Sequence, residues 1–170
     1  SMSFVEYKGQ ARLDPRTKHL VRRLSADDIA IIDHTDLDRV SAEELLESGV
    51  RVVVNVSDSQ TGRYPNPGPL LLVRGGVRLI DAPGTDLFEK VDEGELITVR
   101  GGSLFRNGTR LVAGQELRAD DLADALLEAG YKPDVIVGDM DSVSDRALGS
   151  GAEILIHAYE NGSAPGAERV

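Results

Sequence analysis

A valine-rich run, residues 50–56, constrains the fold of this chain most strongly. Consecutive β-branched residues are typical of a strand that is covered on both faces, as in a parallel sheet. Apolar segments at 29–32 and 77–80 flank this run, and the intervening segments 42–47 and 70–74 are predicted helices that end at glycine. Strands and helices that alternate in this way predict an α/β domain with a parallel sheet.

The chain changes character between residues 94 and 112, where short strand-like segments are separated by glycines and predict β-hairpins. Asn107-Gly108 lies between two of these segments and is the favoured residue pair of a type I′ turn. A helix that ends at Gly130 is predicted next, followed by a strand over residues 134–137. We therefore expect three parts, namely an N-terminal helical arm (1–24), an α/β front domain (25–117) and a partial α/β segment (118–170).

The composition excludes several classes of protein. The chain has 170 residues, no cysteine and a net charge of −10. Without cysteine there is no disulfide and no thiolate metal site, which suits a reducing cytosol. The negative charge disfavours nucleic acid and anionic lipid as partners, and no apolar run approaches the roughly 20 residues of a membrane helix. We expect a soluble cytoplasmic protein that neither binds nucleic acid nor inserts into a membrane.

An acidic loop follows the last predicted strand. Asp139 and Asp141 are two residues apart where the strand leaves the sheet, so their carboxylates point the same way. Gly138 permits close approach of a ligand, and Ser142 and Ser144 begin a helix whose backbone amides favour an anion. Mg²⁺ is usually held by one or two carboxylates together with substrate phosphates. The two aspartates are therefore candidate metal ligands and catalytic residues, with helix capping as the alternative.

Residues 133–143, Pro-Asp-Val-Ile-Val-Gly-Asp-Met-Asp-Ser-Val, resemble the signature of the thiamin pyrophosphokinase family. The resemblance covers about a fifth of the chain and implies that Asp139 and Asp141 bind Mg²⁺ and the phosphates of ATP during pyrophosphoryl transfer to thiamin. Two other segments of that family are absent, a strand that ends in Asp-Gly-Gly and a later Lys-Asp-x-Thr-Asp segment. Without them the positioning of a phosphoryl group would be incomplete, so we expect a divergent domain that does not catalyse the transfer.

Segments 30–34, 62–66, 79–81, 138–145 and 157–159 together resemble a narrower family, the actinobacterial SteA-like cytokinetic ring proteins. That family joins an N-terminal domain to a divergent thiamin-pyrophosphokinase-like domain. The resemblance implies a role in daughter-cell separation, a cell-division protein as partner and recruitment to the division septum. Members are longer than this chain, so we suspect that residues are missing near 118–123, between Leu122 and Ala123.

A long loop, residues 57–69, joins the valine-rich strand to the next helix. Loops of this length inside α/β units are often functional, and the prolines of this one favour a preorganised site. Arg63 offers a bidentate donor to phosphate or carboxylate, and Tyr64 lies beside it in the sequence. In the alternative interpretation the loop is structural, with Tyr64 packed on the sheet and Arg63 paired with an acid such as Asp58.

The order of elements in the front half resembles the swivelling phosphohistidine domains of phosphoenolpyruvate-utilising enzymes. Their loop carries a phosphorylated histidine that this chain lacks in that region, so we expect a shared fold without the chemistry. His34 lies beside Asp33 and Asp36, yet the three histidines show no ligand spacing, which favours a hydrogen-bonded structural role. His157 is the better functional candidate among them.

Three functions are open on the sequence alone. The first is a SteA-like protein of cell division whose domain binds metal and nucleotide phosphate without catalysis. The second is a Mg²⁺-dependent thiamin pyrophosphokinase. The third is a phosphate- or sugar-binding module that uses the loop Gly62-Arg63-Tyr64-Pro65. Mg²⁺ and ATP are implied by resemblance alone, the ligand is otherwise a phosphorylated small molecule, and a homodimer is the expected assembly.

Overall fold

Four parallel strands form the centre of the molecule. The computed structural model describes residues 5–132. Strands β2 and β3 are buried along their whole length, which explains why their sequences are apolar without alternation. The predicted α/β fold with a parallel sheet is confirmed in this part of the chain. The parallel strands, side by side, are β1 (Tyr7–Leu13), β2 (Ile29–Ile32), β3 (Val52–Asn55) and β4 (Arg78–Asp81).

Antiparallel strands extend the sheet at both ends. The described chain has an eight-stranded sheet in the order β7-β6-β5-β1-β2-β3-β4-β8. Asn107 and Gly108 join β6 to β7 with positive φ angles of 48° and 80°, as a type I′ turn requires, so the predicted hairpin is confirmed. The pairing of β6 with β7 is irregular between Leu104 and Phe105. The added strands are β5 (Leu96–Arg100), β6 (Ser103–Arg106), β7 (Thr109–Ala113) and β8 (Gln115–Glu116).

Helices and hairpins cover opposite faces of the sheet. Successive residues of a strand face opposite sides, so Ala30 and Ile32 contact one core layer while Ile29 and Ile31 contact the other. Helices α1, α2, α3 and α5 form the first layer, and α4 with the inner side of β5–β7 forms the second. The helices are α1 (Thr17–Leu20), which continues as a 3₁₀ turn (Val21–Arg23), α2 (Arg39–Ser48), α3 (Gly68–Arg74), α4 (Leu87–Lys90) and α5 (Ala119–Glu128).

Strand β1 lies where the sequence predicted a helical arm. Of residues 5–24, only the short helix α1 and its 3₁₀ turn are helical. The inward-facing residues of β1 are the small Gly9 and Ala11, so the strand lacks the large apolar side chains that make period-two alternation visible. A Cβ atom on Gly9 would lie 2.4 Å from the carbonyl oxygen of Asp27, so the small residue is required there.

The N-cap of helix α2 lies three residues before the one that the sequence predicts. Ser41, with Glu44 three residues later, has the spacing of a capping box and predicts an N-cap at Ser41. The structure instead gives Asp38, whose Oδ1 accepts a hydrogen bond from the Ser41 amide at 3.0 Å. Aspartate is as good a cap as serine, so residue type alone does not distinguish the two positions. The predicted end of this helix at Gly49 is confirmed.

Helix α5 runs through the stretch where residues were suspected to be missing. Ala119, Leu122, Ala123 and Leu126 are buried in the same core layer as α3. The helix assigned to the second predicted domain therefore packs in the core of the first, while the domain boundary and the missing residues stay predictions. In residues 5–132 no helix is both long and apolar enough to span a membrane.

Candidate functional site

The loops that follow β2, β3 and β4 meet at the carboxyl edge of the parallel sheet. Asn55 ends β3 and is the register partner of both Ile32, the last residue of β2, and Asp81, the last residue of β4. Ligands of open α/β sheets bind beyond this edge. The longest of these loops, residues 56–67, carries the candidate residues Arg63 and Tyr64. This edge is the candidate functional site of the described chain.

Asn55 anchors the loops after β2 and β3 to each other. Its side chain is fully buried, and its Nδ2 donates to the carbonyl oxygen of His34 and to Ser59 Oγ, each at 2.8 Å. Its Oδ1 accepts from the amides of His34 at 3.0 Å and Ser57 at 3.1 Å. Both donors and both acceptor positions of the amide are therefore satisfied. Asn55 is not among the residues predicted from the sequence, although a polar residue inside a valine run signals such a buried anchor.

Asp81 holds the middle of the loop. Its Oδ2 accepts from the Ser59 amide at 2.9 Å, and its Oδ1 accepts from the Ser59 hydroxyl at 2.6 Å. Burial raises the pKa of the Asp81 carboxyl, the two hydrogen bonds from Ser59 oppose that rise, and the nearby charge of Asp58 adds to it. The net direction is upward, because burial outweighs the hydrogen bonds.

Asp36 holds the following part of the loop in the same way. Its carboxylate accepts hydrogen bonds from the Thr61 amide at 2.8 Å and from the Thr61 hydroxyl at 2.9 Å. Asp36 has a φ of 54°, in the left-handed region that aspartate tolerates better than most residues. Its amide donates to the carbonyl oxygen of Asp58 at 2.9 Å, so the loop is bound through both backbone and side chain.

Asn66 fixes the end of the loop. This residue is buried, its Nδ2 donates to the carbonyl oxygen of Leu37 at 3.0 Å, and its Oδ1 accepts from the Gly68 amide at 3.1 Å. Gln60 Nε2 in turn donates to the Asn66 carbonyl oxygen at 2.8 Å. Polar side chains thus hold this loop along its length, in addition to the stiffness that its prolines provide.

The tip of the loop presents Arg63 and Tyr64 to solvent. Within residues 5–132 the Arg63 side chain makes no hydrogen bond and no ion pair, so the pairing with Asp58 that we considered is not observed there. Tyr64 is 46% exposed, so it does not pack into the sheet. Burial, followed by the charges of Asp36 and Asp38, raises the pKa of the Tyr64 phenol. An exposed arginine on a held loop can donate to an anion without first breaking an internal contact.

The described part of this edge contains no group of side chains arranged to bind a metal ion. In residues 5–132 no group of three His, Asp or Glu side chains is arranged to hold a metal ion. His34 Nδ1 lies 2.9 Å from Thr17 Oγ1, which agrees with the hydrogen-bonded role that the sequence favoured for this histidine. In the part of the carboxyl edge that the structure describes, Arg63 can therefore donate hydrogen bonds to an anion, but no preformed cation site is present.

The remaining candidate residues lie outside the described residues. They are Gly138, Asp139, Asp141, Ser142, Ser144 and His157. Their roles, and those of Mg²⁺ and ATP, stay predictions from the sequence. Comparisons of the chain with protein-family models, curated proteins and solved structures found no match.

Proposed function

We propose that this chain is a ligand-binding protein of the cell-division apparatus whose acidic loop binds Mg²⁺ together with nucleotide phosphates and carries out no transfer. The observation that carries the proposal is the segment Gly138-Asp139-Met140-Asp141-Ser142, which resembles the thiamin pyrophosphokinase signature. The part of the sequence before the acidic loop lacks the strand ending in Asp-Gly-Gly that the family has there, which supports binding without turnover. The SteA-like resemblance supports septal recruitment and a division-protein partner.

The element order supports the finer fold assignment that we propose for the front half. A strand before Asp33 and His34, a buried strand, a long loop, a helix and a hairpin follow one another, as in the swivelling domains that the sequence resembles. Helices α1, α2, α3 and α5 lie on one face of the parallel sheet, and α4 together with the antiparallel strands β5–β7 covers the other. We propose that this swivelling-like domain precedes a partial thiamin-pyrophosphokinase-like segment.

Thermal unfolding of the full chain with and without Mg²⁺ and ATP tests the binding function. A ligand at about 100 times its dissociation constant stabilises the folded state by about 2.7 kcal/mol. We expect Mg²⁺ with ATP to raise the midpoint of the natural chain but not that of Asp139→Ala or Asp141→Ala. The matched control is Asp145→Ala, an acid of the same region outside the Asp-Met-Asp pair, which should keep the shift. No shift in the natural chain would contradict the proposal.

A transfer assay separates binding from the alternative catalytic function. Incubation with Mg²⁺, ATP and thiamin should yield no thiamin pyrophosphate above the background of the Asp139→Ala, Asp141→Ala double variant. Turnover by the natural chain that the double variant lacks would establish the kinase alternative instead. A fluorescent fusion that stays diffuse in dividing cells would argue against septal recruitment, and sedimentation of the purified chain would decide whether it forms the expected homodimer.

A second candidate function is anion binding by the loop of residues 56–67, and one structural observation favours it. Arg63 is exposed at the tip of a loop held by Asp36, Asp81 and Asn66, and its guanidinium is unpaired within the described residues. The test is a titration with inorganic phosphate, pyrophosphate and a neutral sugar. The two anions should perturb this loop, and the sugar should not. Arg63→Gln should abolish the effect, whereas Arg51→Gln, an exposed arginine before β3 at the opposite edge, should retain it. A response to the sugar alone would contradict anion binding.

A further inference from the structure

A small cavity lies beside the end of β4, apart from the tip of the Arg63 loop. Its volume is about 190 Å³, and its walls come from Asp81, from β8 with the turn that follows it, and from the first turn of α5. Pockets for drug-sized ligands span roughly 300–1,000 Å³, so this cavity suits a smaller molecule than a nucleotide.

Two opposite charges line this cavity without neutralising each other. The side chains of Arg118 and Asp121 make no hydrogen bond or ion pair within residues 5–132. Side chains three residues apart on a helix are neighbours, but Arg118 is the N-cap of α5 with extended φ and ψ of −108° and 142°, so it is not on the helix surface. Asp120, by contrast, lies 3.5 Å from Arg74 in an ion pair. Among the described residues, the cavity lining therefore has one unpaired cation, Arg118, and one unpaired anion, Asp121.

Further side chains complete the lining. Gln60 and Gln115 supply amides, and Asp81 supplies a second carboxylate that Ser59 holds in place. Leu122, which is buried, adds an apolar wall together with the half-buried Leu117. A guanidinium binds a carboxylate through two parallel hydrogen bonds, and a carboxylate binds an ammonium group. The lining thus complements a small molecule with both charges and an aliphatic part.

We propose that this cavity binds a zwitterionic molecule of the amino-acid type, with its carboxylate on Arg118, its ammonium group on Asp121 and Asp81, and its aliphatic side chain against Leu122. The site does not depend on the acidic loop or on Arg63. The proposal of a zwitterion site can therefore be confirmed or contradicted independently of the proposed function.

L-leucine and its two half-molecules test the proposal by titration into the isotope-labelled full chain, followed by NMR. 4-Methylpentanoate lacks the ammonium group, and 3-methylbutylamine lacks the carboxylate. We expect L-leucine to shift the amide resonances of Gln60, Gln115 and Asp121 saturably, and each half-molecule to bind about tenfold more weakly, because one charged contact is lost. Binding of 4-methylpentanoate as tightly as L-leucine, or an absence of saturable shifts, would overturn the proposal.

Variants of the lining locate the binding. Arg118→Gln and Asp121→Asn should each weaken L-leucine binding about tenfold, since both residues are exposed and their replacement leaves the core intact. Arg51→Gln is the matched control, because it removes an exposed arginine at the opposite edge of the sheet, outside the cavity, and it should leave L-leucine binding unchanged. Equal binding by Arg118→Gln and the natural chain would overturn the assignment.

Discussion

Ser59 donates two hydrogen bonds to Asp81, one from its amide and one from its hydroxyl, and thereby joins the loop after β3 to the end of β4. The same hydroxyl oxygen accepts from Asn55, the last residue of β3. The three side chains form a chain of hydrogen bonds, in which Asn55 donates to Ser59 and Ser59 donates to Asp81. Loss of one member leaves buried polar atoms without partners, which makes the loop's position sensitive to single substitutions.

The first prediction concerns Ser59→Ala. Ser59 is fully buried, and the change strips one hydrogen bond from Asn55 and one from Asp81, so unfolding should become easier by about 1–3 kcal/mol. Urea denaturation followed by circular dichroism measures this difference. Ser57→Ala is the control, because the Ser57 hydroxyl contacts the exposed Asp33, and its effect should stay within about 0.5 kcal/mol. Equal effects of the two substitutions would contradict the role of the buried chain.

The second prediction distinguishes the observed cap of α2 from the one that the sequence suggested. Asp38→Ala removes the group that accepts the hydrogen bond of the Ser41 amide, so the free energy of unfolding should fall by about 1 kcal/mol. Ser41→Ala, within the first turn of the helix, should cost less, because alanine has the higher helix propensity there. Thermal unfolding of both variants decides the matter, and a larger loss for Ser41→Ala would restore the sequence-based cap.

The third prediction compares two glycines of the same region. A Cβ on Gly68 would lie 2.0 Å from the carbonyl oxygen of Leu37, so Gly68→Ala should cost about 3 kcal/mol or more. Gly62 has a φ of 86° and open space around it, so Gly62→Ala should cost about 1–2 kcal/mol from backbone strain alone. Denaturant midpoints give both values. A reversed order would mean that the backbone near Leu37 yields easily.

The fourth prediction uses the ion pair between Glu95 and Arg106. Hydrogen bonds from Arg106 lower the pKa of the Glu95 carboxyl to about 2. A lowered pKa in the folded state stabilises the fold above the ordinary value of 4.5, and this stability is lost as the pH falls towards 2. Because the pair lies near solvent, Glu95→Gln should cost at most about 1 kcal/mol at pH 7. Urea unfolding at a series of pH values should show the difference between the two proteins shrink on acidification.

The reciprocal variant checks that Arg106 is the cause of this pH dependence. Arg106→Gln should show the same shrinking difference, and the double variant should cost no more than the larger of the single changes. Additive losses would show that the two side chains act independently of each other.

The sequence predicts the parts of the fold that depend on local pattern. The valine run of β3 and the turn at Asn107-Gly108 are both readable, because burial on two faces and positive φ restrict residue choice. Strand β1 was not predicted, since its buried side is made of Gly9 and Ala11 rather than of large apolar residues. Small residues carry little periodic signal even where they occupy the middle of a sheet.

The candidate site is harder to predict from the sequence than the fold, because the pairing register of neighbouring strands brings its residues together. Arg63 and Tyr64 stood out in the sequence through the length of their loop, and the structure places both at its exposed tip. Asn55 and Asp81, which support that loop, are 26 residues apart and meet because they are register partners at the ends of adjacent strands. Spacing along the chain does not reveal this meeting, whereas the pairing of β3 with β4 does.

The irregular pairing of β6 with β7 near Leu104 and Phe105 affects how readily copies of the chain associate through this edge of the sheet. Within residues 5–132, strand β7 forms one margin of the sheet, and such a margin is a template on which another chain could add a strand. The irregularity twists this margin, and exposed Arg110 would have to be desolvated by an incoming strand. The β7 margin therefore disfavours the addition of a strand by a second copy of the chain.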